Sequence, residues 1–275
     1  MSAPSRSPLL VLAAAVLAAC ATAAPVSGTP TPPSPTAPSS PALSSPAAAP
    51  TEPLPTTSAA RAKVVVLDPG HNGGNSRDLA AVNEPVPDGR GGTKPCNTTG
   101  TQTDAGYTEH AFTWDLAQRV RDKLTAKGLT VVMTRDSDTG VGPCVDVRGA
   151  AGEKADADVV VSLHADGSAP ANTGFHVAYS EPPLNPAQAG PAHVLSGDLR
   201  DALRAGGFPV SDYVGRDGLS PRRDLAGLNL STRPTALVEC ANMRNAGEAA
   251  LVTSADGRER YATAIAAGIE TFLAR

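Results

Sequence analysis

Apolar residues along the chain follow two alternating patterns: short continuous runs, and longer segments with a three- to four-residue repeat. The runs KVVVL at 63–67 and ADVVVSLHAD at 157–166 are typical of strands buried on both faces of a parallel sheet. Residues Glu109–Lys127 follow the second pattern, which predicts an amphipathic helix between Thr108 as N-cap and Gly128. The apolar stripe of this helix consists of Phe112, Leu116, Val120 and Leu124.

The rest of the folded part repeats this alternation. We predict strands at 129–135, 174–180 and 233–240 and helices at 145–155, 191–205 and 255–275. The strand at 174–180 alternates polar and apolar residues, so we expect it nearer an edge of the sheet. Alternating strands and helices predict an α/β fold: a single domain with a twisted, mostly parallel sheet and helices on both faces.

Residues 72–107 show no periodicity and are rich in Gly, Pro and Thr. A segment of this length without predicted structure inside a compact domain is usually functional or disordered. A disulfide through Cys96, which lies in this segment, would fix it in place and favour a functional role.

Four cysteines occur in the chain. Cys96 and Cys144 both lie in loops that contain Pro or Gly, and in an exported protein they are candidates for a disulfide. The alternative is two unpaired loop cysteines. Cys240 ends an apolar run, where a buried free thiol is the usual state, and Cys20 belongs to the N-terminal leader.

The first 20 residues have the features of an export signal. One arginine precedes an apolar run at 9–19, which is too short to span a bilayer and is typical of a signal peptide. The sequence LAAC at 17–20 resembles the lipobox of bacterial lipoproteins, so we predict that Cys20 is lipidated. The alternative is ordinary signal cleavage near residues 21–23, which would remove Cys20.

Residues 21–60 consist almost entirely of Pro, Ala, Ser and Thr, and such a segment cannot bury enough apolar surface to fold. We therefore predict a disordered linker at 21–60 and one folded domain at 61–275. A lipid anchor with this tether would hold the domain at the membrane in the cell envelope. Without the anchor, the protein would be secreted or periplasmic.

Composition and charge narrow the choice of partners. The net charge is −4 and the chain lacks basic clusters, which disfavours nucleic-acid binding. Aromatic residues make up only 3% of the chain, too few to build a carbohydrate platform of stacked Trp and Tyr. We expect a monomer.

Four residues with catalytic potential fall at the same edge of the predicted sheet. His71 follows the first strand, His164 and Glu239 end later strands, and Glu109 opens the helix that follows the first strand. The carboxyl ends of parallel strands share one rim, and a helix in a βαβ unit begins on that rim. The topology alone therefore predicts that these side chains lie close together.

Two imidazoles and one carboxylate form a common catalytic zinc site, and a separate carboxylate can transfer the proton in hydrolysis. Taken singly, His164 could be an ordinary loop histidine, and Glu109 could simply complement the helix dipole. Glu239 follows four apolar or small residues in a buried strand, where a carboxylate must be paired, metal-bound or functional. The coincidence of all four favours a zinc hydrolase.

The sequences around these four residues resemble those of a known enzyme family. VVVLDPGH at 64–71, YTEH at 107–110, ADVVVSLHAD at 157–166 and ALVECANMRNAGEAALV at 236–252 resemble the zinc-dependent N-acetylmuramoyl-L-alanine amidases that cut bacterial peptidoglycan. The likeness extends over nearly all of residues 63–275. It implies one zinc ion per chain, with peptidoglycan or its muropeptide fragments as the substrate.

The resemblance also implies roles for individual residues. His71, Glu109 and His164 would bind zinc, and Glu239 would take a proton from water and pass it to the departing L-alanine amine. Asn245 and Glu248 match structural positions that help the final helices dock.

Two departures from the family pattern bear on the substrate groove. The interval from His71 to Glu109 is longer than usual, so residues 72–107 are expected to line the groove or to act as a lid. The sequence VECANM at 238–243 replaces the usual Gly-Phe after the catalytic glutamate.

Two other functions remain alternatives at this point. One is a catalytically idle lipoprotein that binds peptidoglycan or regulates its turnover. The other is a zinc peptidase or deacetylase that acts on a different bond of the cell wall.

Overall fold

The structure is a computed structural model, and it describes residues 61–275. The predicted signal peptide at 1–20, the predicted linker at 21–60 and the predicted lipidation of Cys20 lie outside the described residues. None of the helices within 61–275 combines the length and the apolar character that crossing a membrane requires.

The described part of the chain contains eight strands and nine α-helices. The strands are β1 (Val64–Pro69), β2 (Pro85–Pro87), β3 (Thr93–Pro95), β4 (Thr130–Met133), β5 (Val159–Asp166), β6 (His176–Ser180), β7 (Leu219–Arg222) and β8 (Thr235–Asn242). The helices are α1 (Leu79–Val82), α2 (Glu109–Ala126), α3 (Val145–Gly149), α4 (Ala151–Lys154), α5 (Pro186–Ala189), α6 (Pro191–Ala205), α7 (Ala226–Asn229), α8 (Ala246–Thr253) and α9 (Ala255–Leu273).

Six strands form one sheet in the order β4-β1-β5-β8-β6-β7, and β2 and β3 form a separate hairpin. Neighbouring strands of the sheet are parallel except for β6 and β8, which run antiparallel. The mostly parallel sheet confirms the predicted fold class. Strands β1, β5 and β8 are adjacent and parallel, so their carboxyl ends share one rim.

Helices cover both faces of this sheet. Val65 and Val161 pack in the main core with the apolar stripe of α2, whose four predicted members are all fully buried. Val66 and Val160 point to the opposite face and pack against alanines of the α4 region. Helix α6 also lies against the sheet, and α9 packs onto both α2 and α6.

The segment at 72–107, for which the sequence predicted no regular structure, contains several short elements. A 3-10 turn at Asn75–Arg77 precedes α1, and the β2–β3 hairpin follows. Each hairpin strand is three residues long and contains proline, so no repeating pattern could develop. Strand β7 and helices α5 and α7 were missed for the same reason, because each is only four residues long.

A disulfide joins this segment to the start of α3. The Cys96–Cys144 bridge has an S–S distance of 2.06 Å and links residues 48 positions apart. Backbone contacts support the junction, since the Val145 N–H donates to the Cys96 carbonyl at 2.7 Å. Cys240, in contrast, is a buried free thiol.

The packing of α6 predicts a large effect of core truncation. Leu199 is fully buried and packs in the main core, where Leu199→Ala leaves a cavity. We expect the free energy of unfolding to fall by about 2–5 kcal/mol in urea titrations. Leu184, 45% exposed, is the matched control, and Leu184→Ala should change stability by less than about 0.5 kcal/mol. Equal losses in the two variants would contradict the assigned core.

Candidate metal centre

Three of the predicted site residues meet at the rim of the sheet. His71 follows β1, Glu109 is the first residue of α2, and His164 lies near the end of β5. His71 Nε2 is 3.2 Å from Glu109 Oε2, and His164 Nδ1 is 2.9 Å from Glu109 Oε1. One donor atom from each residue lies within 4.8 Å of the other two.

Glu109 is the electrostatic centre of this group. Its side chain is almost completely buried, and burial alone would raise the pKa of the carboxyl. The neighbouring imidazoles of His71 and His164 outweigh burial and hold the pKa of Glu109 well below its usual range. Two backbone N–H groups, from Thr101 at 2.9 Å and Ala165 at 3.2 Å, also donate to the carboxylate. The carboxylate is therefore charged and fixed in orientation.

The turn that carries His71 is strained and externally supported. His71 has φ +58°, a left-handed conformation that is costly for a residue with a side chain. Arg148 donates to the carbonyls of His71 at 2.9 Å and Pro69 at 2.8 Å. Arg135 also donates to the Pro69 carbonyl at 3.0 Å. These two buried arginines hold the backbone of the turn in place.

Arg148 is itself held by a buried carboxylate. Its Nη1 atom donates to Asp68 Oδ1 at 2.7 Å, and the hydroxyls of Thr134 and Ser162 donate to the same carboxylate at 2.6 and 2.7 Å. Burial would raise the pKa of Asp68, but Arg148 and the two hydroxyls lower it to about 2. Asp68 and Arg148 thus form a charged, hydrogen-bonded pair beneath the rim that carries the three donors.

Glu239 lies beside the three donors on β8. It is the register partner of His164 on β5 and of His176 on β6, so the three side chains occupy adjacent positions on the sheet. Its Oε2 atom is buried and has no hydrogen-bond partner among the described residues. Burial, followed by the negative charges of Glu109 and Asp166, raises the pKa of Glu239 well above its usual range.

A cavity of about 200 Å³ opens beside His71 and His164. Its wall is mainly apolar, with Val160 and Leu237 from the sheet, Leu228 from α7 and Pro95 from the β2–β3 hairpin. Part of the 72–107 segment therefore lines this cavity.

The three donors fit a zinc ion by both chemistry and spacing. Two imidazole nitrogens and a carboxylate oxygen leave a fourth coordination position for water or substrate. Zinc–ligand distances of about 2.0–2.1 Å in a tetrahedron place neighbouring donors about 3.3 Å apart. The contacts of 3.2 and 2.9 Å, which are made to different oxygens of Glu109, are close to this spacing, and the three donor atoms together lie within 4.8 Å of one another.

Several residues of the site were not found by sequence reasoning. The supporting roles of Arg135 and Arg148 depend on contacts that no local pattern indicates, although Arg135 is the last residue of the strand predicted at 129–135. His176, a mid-strand residue in the sequence, turns out to be the partner of Glu239 across an antiparallel pair. His110 lies apart from the three donors, with its Nδ1 2.7 Å from Asp138 Oδ2.

The two C-terminal positions assigned structural roles behave as predicted. The Asn245 side chain caps α8 by accepting the N–H groups of Gly247 and Glu248. The Glu248 carboxylate accepts the backbone N–H groups of Gly174 at 2.9 Å and Asn242 at 2.8 Å. The two residues therefore fix α8 against the end of β8.

A His-Glu-His group with a buried carboxylate beside it, on the rim of an α/β sheet, defines a candidate metallohydrolase. The family model described as N-acetylmuramoyl-L-alanine amidase matches residues 65–271. The chain belongs to this family and is an N-acetylmuramoyl-L-alanine amidase.

Individual relatives agree with this assignment. The chain is 48% identical over 211 residues to the N-acetylmuramoyl-L-alanine amidase Rv3717 of Mycobacterium tuberculosis, covering 77% of this chain and 86% of the relative. The crystal structure of the amidase Ami1 from Mycobacterium smegmatis aligns with a TM-score of 0.75 at 51% identity, covering 77% of this chain and 97% of that one. The apo form of Ami1 from Mycobacterium abscessus aligns with a TM-score of 0.75 at 48% identity, covering 77% and 98%.

The Asp68–Arg148 pair predicts a specific dependence of stability on pH. The pKa of Asp68 is about 2 in the folded state and 3.8 ordinarily, so its stabilising effect is present above pH 3.8 and lost as pH falls toward 2. This shift corresponds to about 2 kcal/mol. Asp68→Asn also leaves Arg148 uncompensated, so we expect a loss of about 3–5 kcal/mol at pH 7 and a smaller loss at pH 3.

Urea titrations at both pH values test this expectation. Asp122 is 72% exposed, so Asp122→Asn should leave the free energy of unfolding nearly unchanged at either pH. A loss in Asp68→Asn that is equally large at pH 3 and pH 7 would argue against a charged Asp68 in the folded protein.

Proposed function

We propose that this amidase hydrolyses the bond between N-acetylmuramic acid and L-alanine with one zinc ion, held by His71, Glu109 and His164. Glu239 serves as general base and then as general acid. The observation that supports this most directly is the buried, unpartnered Oε2 atom of Glu239 next to three converging donors. Zinc dependence is also a general property of the family.

Bound zinc would polarise the scissile carbonyl and lower the pKa of a water molecule toward about 7. The chain's own residues prepare the site for this chemistry. Glu109 contributes the negative charge that favours a dication, and the backbone N–H groups of Thr101 and Ala165 fix its orientation. The apolar wall beside His71 and His164 limits the access of bulk water to the site.

Glu239 moves the proton. Its carboxylate accepts a proton from the attacking water as the oxygen bonds to the amide carbon. Burial and the nearby charge of Glu109 favour the protonated form, which can then donate to the nitrogen. The C–N bond breaks, the lactyl group keeps a new carboxylate, and L-alanine leaves with a free amine.

The proposed role of Glu239 predicts separate effects on catalysis and metal binding. Glu239→Gln keeps the shape of the side chain but cannot accept a proton, so kcat should fall by about 10²–10⁴-fold. Zinc content should remain near one per chain, because Glu239 is not a ligand. The measurements are muropeptide hydrolysis, with mass spectrometry of products, and metal analysis of both proteins.

The products distinguish this function from its alternatives. Stem peptides with a free L-alanine amine are the expected result. Release of a C-terminal residue or of acetate would instead identify a peptidase or a deacetylase. A zinc-loaded wild-type protein that cleaves neither intact peptidoglycan nor fragments would support the idle binding protein.

We also propose an exported, monomeric protein, anchored through a lipid on Cys20 with residues 21–60 as the tether. The leader pattern and the cell-wall substrate of the family support this arrangement. In a bacterium that processes lipoproteins, the wild type should partition into the detergent phase of a Triton X-114 extract. Cys20→Ala should move to the aqueous phase, and aqueous partitioning of the wild type would contradict lipidation.

A further inference from the structure

The segment at 97–101, between the β2–β3 hairpin and α2, lies directly against two of the proposed metal ligands. The Thr98 carbonyl oxygen is 3.1 Å from His71 Nδ1, and the Thr98 hydroxyl is 3.2 Å from the same atom. The Thr101 N–H donates to Glu109 Oε2 at 2.9 Å. The segment therefore contacts both residues while contributing no member of the three-donor group.

The Thr98 contact fixes which nitrogen of His71 can bind a metal. A carbonyl oxygen only accepts hydrogen bonds, so Nδ1 must carry the proton to donate to it. Nε2 faces Glu109 Oε2 at 3.2 Å, so it is the nitrogen at which a cation can replace the proton and bind both residues. Partners of this kind set the tautomer and ring orientation of a metal-binding histidine.

Gly100 allows the segment to come this close. Its φ of +76° favours glycine, and a Cβ atom there would lie 2.9 Å from both Glu109 Oε2 and His71 Cδ2. Such contacts are too short for a methyl group, so any side chain at this position must displace a ligand or the segment. Gly106 has a similar φ of +85° but nothing within 4 Å of an added Cβ.

The start of the segment is anchored from two directions. The disulfide holds Cys96 to Cys144, and Asn97 Nδ2 donates to the Pro143 carbonyl at 3.1 Å. From the other side, the fully buried Asn75 donates to the Thr98 carbonyl at 2.8 Å. The position of the Thr98 carbonyl is thus set by several independent contacts.

We infer that the 97–101 segment is a positioning element for the metal centre: it selects Nε2 of His71 as the ligand and holds Glu109 in place. Zinc affinity then depends on a loop that supplies no ligand. This inference rests on the proposed zinc site. It assigns a specific role to part of the segment at 72–107.

The paired glycines provide the test. Gly100→Ala and Gly106→Ala impose the same kind of backbone strain, but only the first places a methyl group against His71 and Glu109. Zinc dissociation constants are measured for both variants and the wild type by competition with a chelator. We expect Gly100→Ala to weaken zinc binding by about 10- to 100-fold and Gly106→Ala to leave it within about twofold.

A second measurement uses the unaltered protein, so it does not depend on how well a variant folds. Long-range ¹H–¹⁵N spectra of the zinc-loaded wild type report the state of each imidazole nitrogen. His71 should show a protonated Nδ1 and a metal-bound Nε2.

The outcomes separate the two proposals. A wild type that binds no zinc would overturn the zinc site of the proposed function. A wild type that binds zinc through His71 Nδ1, or a folded Gly100→Ala variant with wild-type affinity, would overturn the positioning role alone.

Discussion

The carboxylate of Glu109 is the constraint around which the site is organised. A buried negative charge is too costly to leave uncompensated, and here two imidazoles and two backbone N–H groups provide the compensation. These partners come from the end of β1, the end of β5 and the segment at 97–101. The requirement to neutralise one side chain therefore brings three distant parts of the chain together, and the same arrangement produces a set of converging metal donors.

A second buried charge, that of Asp68, stabilises the site through Arg148. Arg148 satisfies Asp68 and at the same time binds the carbonyls that shape the turn of His71, so stability and site geometry share one ion pair. Backbone strain at His71 persists because Arg135 and Arg148 both hold the turn. The groups beneath the site are hydrogen-bonded, whereas two buried atoms on neighbouring strands beside the donors, Glu239 Oε2 and His176 Nδ1, have no partner among the described residues.

The sequence predicted the parts of the molecule that repeat or that follow from topology. Long elements such as α2 have a clear period, and the shared rim of parallel strands brings His71, His164 and Glu239 together. Short elements such as β7 contain too few residues for a period to appear. The contacts of Thr98 and Thr101 use backbone atoms, which carry no residue-specific signal, so only the three-dimensional structure reveals them.

The disulfide between Cys96 and Cys144 gives this arrangement a consequence for where the enzyme matures. Thiols stay reduced in the cytosol and pair in oxidising compartments outside it. In a reduced chain the Cys96–Cys144 bridge would be missing. The segment at 97–101 would then lose the covalent link that holds it beside His71 and Glu109. For an exported chain, as proposed above, this bridge would form only after the chain leaves the cytosol. The support of the proposed zinc site would then be completed in the compartment that contains its peptidoglycan substrate.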